Sequence, residues 1–227
     1  VAQLTVATWL WGDKYGAADV RKLFAGVGRN LSIPHRKLLV TDQRIEIEGV
    51  EVAPVPERAR YLLDIPGCMA RLIAFDPEWQ AEIGVKGAYL NLDLDMVITR
   101  SIDHIANVEE PFSILRGING TNPCPYNGSV WRLRAGYRPD VWSEFTVEKS
   151  RNVPYHSFPD DQAWFYDRMP DCKGYGPKTG VYGFRKNGWP GTEDSPLPDN
   201  ACIVAFPGFR SPSQFTRLRW VKEHWRE

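Results

Sequence analysis

Asp93 and Asp95, separated by Leu94, stand near the end of the stretch Gly87-Ala88-Tyr89-Leu90-Asn91-Leu92-Asp93-Leu94-Asp95-Met96-Val97-Ile98. Read as one strand, this stretch alternates, with Asn91, Asp93 and Asp95 on one face and Leu90, Leu92 and Leu94 on the other. Two acids crowded on one face repel. A divalent cation offsets the repulsion, and an all-oxygen ligand set suits Mn²⁺ or Mg²⁺ rather than zinc. An ion held there can bridge a diphosphate, and the carboxyl end of a strand is where open α/β sheets take ligands. The plainer alternative is an edge strand whose acids face water, since Asp-x-Asp often arises by chance.

The elements that must position this pair follow from periodicity. Leu4 to Leu10 reads as a first buried strand, and Val20, Leu23, Phe24 and Val27 mark one apolar face of a following helix. Arg36 to Val40 is a second strand closed by Thr41-Asp42, and Val50 to Pro56 a short strand running into a proline-limited loop. A short helix over Met69 to Phe75 precedes the Asp-x-Asp strand. This order predicts an α/β fold: one domain with a mixed, mostly parallel central sheet flanked by helices. Beyond Asp95, strands are expected at Phe112 to Leu115 and Ser129 to Leu133, and a helix over Arg138 to Lys149. A second helix begins near Asp160 and carries Ala163, Trp164 and Met169. The run from Asp171 to Asn200, with Trp189-Pro190-Gly191, is rich in Gly and Pro and reads as a long surface loop holding one strand at Val181 to Phe184. Cys202 to Phe206 is a last strand and Phe215 to Trp225 a terminal helix.

Composition narrows the classes. The 227 residues suffice for one large domain, and 28 basic against 28 acidic residues leave no global field to draw in nucleic acid or an anionic membrane. No apolar run approaches the ~18 residues of a membrane span, and the opening stretch reads as strand rather than leader, so a cytoplasmic protein is expected. The four cysteines are scattered without a C-x-x-C pair and read as free thiols. Nine tryptophans suit a binding cleft or a large core, core filling being the commoner use.

Taken in order, these pieces resemble the nucleotide-sugar glycosyltransferases of the GT-A fold, closest to the glycogenin-like and galactosyltransferase-like retaining group. The resemblance covers most of the chain. It rests on Ala7-Thr8-Trp9-Leu10-Trp11-Gly12 followed by Tyr15, on Thr41-Asp42, on Arg71 where the family usually has lysine, and on the Asp-x-Asp. Tyr126-Asn127-Gly128-Ser129-Val130, read as an asparagine-led turn, and Asp160-Asp161-Gln162 at a helix start complete it. The resemblance implies a nucleotide-binding half over 1–95 and an acceptor-binding half over 96–227. Ala7, Thr8, Trp9, Tyr15, Asp42, Arg71, Asp93 and Leu94 would meet the nucleotide sugar, and Asp93 and Asp95 would hold the metal. Asn127, Asp161 and Gln162 would act on the sugar or acceptor. One departure stands out: after the last strand the family places a histidine, a glycine and a lysine, whereas this chain has Phe206-Pro207-Gly208-Phe209-Arg210-Ser211-Pro212. Pro207 cannot ligate a metal, so Gly208 and Arg210 are the residues expected at the diphosphate.

Each assignment has a structural alternative. Thr41-Asp42 also suits a strand-ending turn, Asn127-Gly128 a tight turn, Asp160 or Asp161 a helix N-cap, Arg71 a solvated helix position, and Trp9 the core. The implied activity is transfer of a sugar, UDP-linked by family habit, to an acceptor hydroxyl with retention. A glycan or small molecule is the favoured acceptor. Modified DNA is the alternative if Arg132, Arg134, Arg138, Arg210, Arg217, Arg219, Lys222 and Arg226 gather into a basic face. Competing classes are a sugar-nucleotide nucleotidyltransferase, for which Trp11-Gly12-Asp13-Lys14-Tyr15-Gly16 is too poor in glycine, and an inactive nucleotide-sugar-binding relative.

Overall fold

The fold is built on a mixed, mostly parallel sheet whose strand order reverses beside its first strand. A computed structural model describes residues 3–118, 122–186, 188–190 and 196–227. Its strands are β1 (Leu4–Leu10), β2 (His35–Thr41), β3 (Glu51–Pro54), β4 (Ala88–Leu92), β5 (Met96–Ile98), β6 (Phe112–Arg116), β7 (Tyr126–Arg134), β8 (Gly174–Tyr175), β9 (Val181–Gly183) and β10 (Ile203–Ala205). Seven of them form one sheet in the order β3-β2-β1-β4-β7-β6-β8. β1 pairs in parallel with β2 and β4, β2 with β3, and β6 with β8, while β7 runs against both β4 and β6. The expected α/β class with a mixed, mostly parallel sheet is therefore the one observed.

Side-chain alternation along β1 explains why the sheet is covered on both faces. Ala7 and Trp9 enter one core with Leu38, Val40, Tyr89 and Trp131, whereas Leu4, Val6 and Leu10 enter a second with Leu39, Leu90 and Leu92. The helix Ala17–Asn30 covers the second face with Val20, Leu23, Phe24 and Val27, the stripe that its spacing predicts. Its start is set by the Gly16 N–H, which donates to Asp19 Oδ2 at 2.9 Å. The segment Met69–Phe75 forms a 3₁₀ helix, wholly buried on the other face, followed by the α-helix Pro77–Glu82.

Four expectations are corrected. First, the Asp-x-Asp stretch is not one strand: β4 ends at Leu92, residues 93–95 turn, and β5 enters a second sheet of order β5-β10-β9. The apolar run is continuous because Leu94, Met96 and Ile98 are buried like the strand before them. Second, Asn127-Gly128 lies inside β7, not in a turn, at a bulge where the register with β6 jumps from Ile114↔Trp131 to Leu115↔Asn127. Third, Arg138 to Lys149 breaks into the helices Asp140–Ser143 and Val147–Ser150, because the Thr146 side chain accepts from Lys149 N and caps a new start. Fourth, within the run 171–200, Tyr175, Val181, Tyr182, Phe184 and Trp189 are buried, so it is not a surface loop. Gly191 and its neighbours to 195, with residue 187, lie outside the described residues.

The terminal segment is a 3₁₀ turn, Pro212–Phe215, and a helix, Arg219–His224, packed in a third aromatic core with Phe184, Phe206, Trp189 and Trp220. Most tryptophans fill these cores. Among the described residues no disulfide joins the four cysteines. Among the described residues no helix is long and apolar enough to cross a membrane.

Candidate functional site

The carboxyl ends of β1 and β4 open side by side, at the point where strand order reverses, and a cleft of ≈ 350 Å³ lies there. Trp9, Leu10, Trp11, Lys14 and Tyr15 wall it from the β1 end. Asp93, Leu94 and Asp95 wall it from the turn after β4. Asn127, Gly128 and Ser129 come from the β7 bulge, and Asp160 and Gln162 from the start of the helix Asp161–Arg168. Pro207 and Gly208 arrive from the far end of the chain. They do so because β10 pairs with β5 and the Phe206 N–H donates to the Asp95 carbonyl at 2.9 Å, so one small sheet delivers both Asp95 and Gly208.

At the centre sits Arg71, only 2% exposed, with each guanidinium nitrogen bonded to a carboxylate. Its Nε donates to Asp161 Oδ2 at 2.8 Å, its Nη2 lies 2.7 Å from the same oxygen, and its Nη1 donates to Asp93 Oδ1. Asp161 is itself wholly buried. Burial raises the carboxyl pKa of Asp161 and of Asp93 while Arg71 pulls each back, and the two acids hold Arg71 firmly charged against its own burial. This is not the solvated helix arginine that was the alternative, nor a guanidinium open to a phosphate. Asp160 is the N-cap: its Oδ1 accepts from Asp161 N at 2.9 Å and from Cys68 N at 2.8 Å, joining the helix to the loop before Arg71.

Asp95 differs from its partner acid. Its Oδ2 accepts from the Tyr15 hydroxyl at 3.1 Å, but its Oδ1 is buried with no hydrogen-bond partner. Burial and the adjacent Asp93 charge push its carboxyl up from the ordinary 3.8 to about 7, against the pull of Lys14 and Tyr15. An orphaned carboxylate oxygen beside a second carboxylate fits a hard divalent cation, and Mg²⁺ commonly takes one or two protein carboxylates and completes its shell with water and phosphate. Among the described residues no third His, Cys, Asp or Glu joins such a group.

Trp9, Tyr15, Arg71, Asp93, Leu94, Asp95, Asn127, Gln162 and Gly208 thus meet at one cleft. Asp161 stands behind its wall. Ala7 and Thr8 do not reach it: both are fully buried within β1. Trp9 is mainly core, its Nε1 donating to Tyr89 Oη at 3.1 Å and its ring packed on Trp79. Asp42 is exposed in a separate hollow with Gln43, Arg44 and Arg60, and Thr41 Oγ1 accepts from Gln43 N as a strand-ending turn would. Arg210 is off the wall, its guanidinium lying over Phe209. The basic residues considered as a face are partly spent: Arg132 donates to the carbonyls of Ala106 and Glu110, and Arg138 pairs with Asp140.

Sequence reasoning did not single out Gly128 and Lys14, which both line the cleft. A Cβ on Gly128 would collide with Asp161 Oδ1 and come within 2.6 Å of Arg71 Nη2, so only glycine lets the ion pair pass under β7. Its dipeptide signal suggested a turn. Lys14 carried a usable signal, a lone cation just after the first strand of a parallel sheet. Comparison with models of known families and with curated proteins finds no match for this chain.

Two outcomes are expected. Gly128→Ala should lower stability in urea unfolding by roughly 1–3 kcal/mol through overpacking against the Arg71 pair. Because the folded Asp95 carboxyl titrates higher than the unfolded one, its ionisation costs stability, which is fully present below pH 3.8 and is lost as pH rises to about 7. Without added metal, Asp95→Asn should therefore gain in Tm over the parent progressively between pH 4 and 7 and by a constant amount above that.

Proposed function

We propose that this chain is a glycosyltransferase of the GT-A type, moving a sugar from a nucleoside-diphosphate sugar, UDP-linked as the resemblance favours, to an acceptor hydroxyl with retention. The observation that supports it is the convergence of Asp93, Asp95, Arg71, Asn127 and Gln162, from separate parts of the chain, on one cleft at the switch point of a parallel sheet. Expelling a diphosphate builds negative charge on the leaving oxygens, and a site for such transfer needs fixed positive charge or oriented donors there. A divalent cation held by Asp93 and Asp95 would act as Lewis acid toward that group.

The protein's own groups supply position. Arg71 fixes Asp93 from below, and Asn91 Nδ2 lies 3.5 Å from the same Asp93 oxygen. The Asp93 N–H donates to the Ser129 carbonyl at 3.1 Å, pinning the turn to β7. Gln162 lines the cleft and its Oε1 accepts from Gly128 N at 3.4 Å, which leaves its amide NH₂ as the group that would donate to a sugar hydroxyl. Asn127 Oδ1 is oriented by Ser129 N. Asp161 is committed to Arg71, so its role is to hold that arginine rather than to attack the sugar. Favoured acceptors remain a glycan or a small molecule, given the spent arginines. A second reading, an inactive relative that only binds the donor, draws on Pro207 at the cleft wall, where a ligating side chain is lacking.

Incubated with a panel of nucleoside-diphosphate sugars, the protein should transfer or hydrolyse one of them in the presence of Mn²⁺, and Asp93→Ala and Asp95→Ala should abolish this while unfolding cooperatively. Donor binding without turnover would support the inactive relative. Early product from an α-linked donor should be α-linked by NMR; a β-linkage would place the chain in the inverting branch.

A further inference from the structure

The positive charge of Arg71 is already balanced by Asp93 and Asp161, which lie against its three guanidinium nitrogens, so it offers no surplus charge to a bound diphosphate. Turning those nitrogens to a ligand would strand a buried carboxylate, a change that is strongly destabilising. Nor does surplus charge come from Arg210, which lies off the wall over the exposed Phe209 ring. Among the described residues the other cation on the cleft wall is Lys14.

Lys14 is placed for the task. It is exposed, in the turn that leaves the carboxyl end of β1, and its Nζ donates to the Gly208 carbonyl at 2.8 Å. The same ammonium stands 4.7 Å from the centroid of the Tyr15 ring, whose hydroxyl holds Asp95. Its resting partner is thus a neutral carbonyl. The Gly208 carbonyl offers only a dipole, whereas a phosphate oxygen carries a full negative charge and adds Coulomb attraction to the hydrogen bond, so it competes well for this ammonium. A lysine serves phosphate as a mobile point charge on a flexible stem, and needs only to swing from Gly208 into the cleft it already lines.

We propose that Lys14, reaching from the turn after β1 to the side of Gly208, binds the diphosphate of the donor, in place of the cation that the segment 206–212 does not bring to the cleft wall; the assignment rests on the nucleoside-diphosphate-sugar reading above. Isothermal titration with Mg²⁺ present tests it, using UDP, GDP, CDP and ADP on the parent, Lys14→Ala and Arg210→Ala, and then the nucleoside of whichever diphosphate binds. Lys14→Ala should weaken the diphosphate tenfold or more and leave the nucleoside unchanged, while Arg210→Ala should match the parent. Equal diphosphate affinity in Lys14→Ala, or a matching loss for the nucleoside, would overturn the assignment alone. A parent that binds none of the four diphosphates would overturn the nucleotide reading and this assignment with it.

Discussion

Everything at the cleft hangs on one buried cation. Arg71 is taken out of water on a wholly buried 3₁₀ segment, and it stays charged because Asp161 and Asp93 face it from two other elements. A pair of this kind adds little net stability, since desolvation offsets most of the attraction, but losing one partner leaves a costly unpaired charge. Its consequence is geometric. The segment Met69–Phe75, the turn after β4 and the start of the helix Asp161–Arg168 cannot move independently while the bridge holds, and Gly128 is the gap in β7 through which it passes.

That arrangement divides the acids of the cleft by task. Asp161 and Asp160 are structural, one paired with Arg71 and one capping a helix and tying down the loop at Cys68. Asp93 is shared between the bridge and the cleft. Asp95 and Asp161 each keep a buried Oδ1 without a hydrogen-bond partner, but Asp161 is off the cleft wall and paired with Arg71 through its other oxygen, whereas Asp95 lines the cleft on a turn held from behind by Phe206 N and from the side by Tyr15. The unsatisfied carboxylate oxygen on the cleft wall is therefore the one placed to be satisfied by a ligand. Lys14 is its cationic counterpart, hydrogen-bonded to the Gly208 carbonyl and standing over the Tyr15 ring.

Much of this was legible from spacing. The helix 17–30, β1 and β2 follow from local periodicity, and their parallel order puts the carboxyl ends of β1 and β4 together whatever the side chains there. The turn at 93–95 was hidden because burial continues through it: Leu92, Leu94 and Met96 are all core residues, though β4 and β5 belong to different sheets. The break at Thr146 was hidden because a cap in mid-run resembles any polar helix position. The strands β9 and β10 were legible, at Val181 to Phe184 and Cys202 to Phe206, but their pairing in a second sheet was not, because their partner β5 reads as a continuation of β4. The Arg71 bridge lay beyond local reading altogether, its partner Asp161 being 90 residues away. Where the resemblance assigned a phosphate to Arg71, two carboxylates had already claimed it.

The bridge itself can be weighed by a double-mutant cycle on Arg71→Met and Asp161→Asn, with unfolding free energies from urea titrations of the parent, the two single variants and the double. A coupling of about 2 kcal/mol or more is expected, each single variant suffering a large loss that the double variant largely avoids repeating. Simple additivity of the two losses would mean that Arg71 and Asp161 do not depend on each other, and would contradict a cleft organised around their pair.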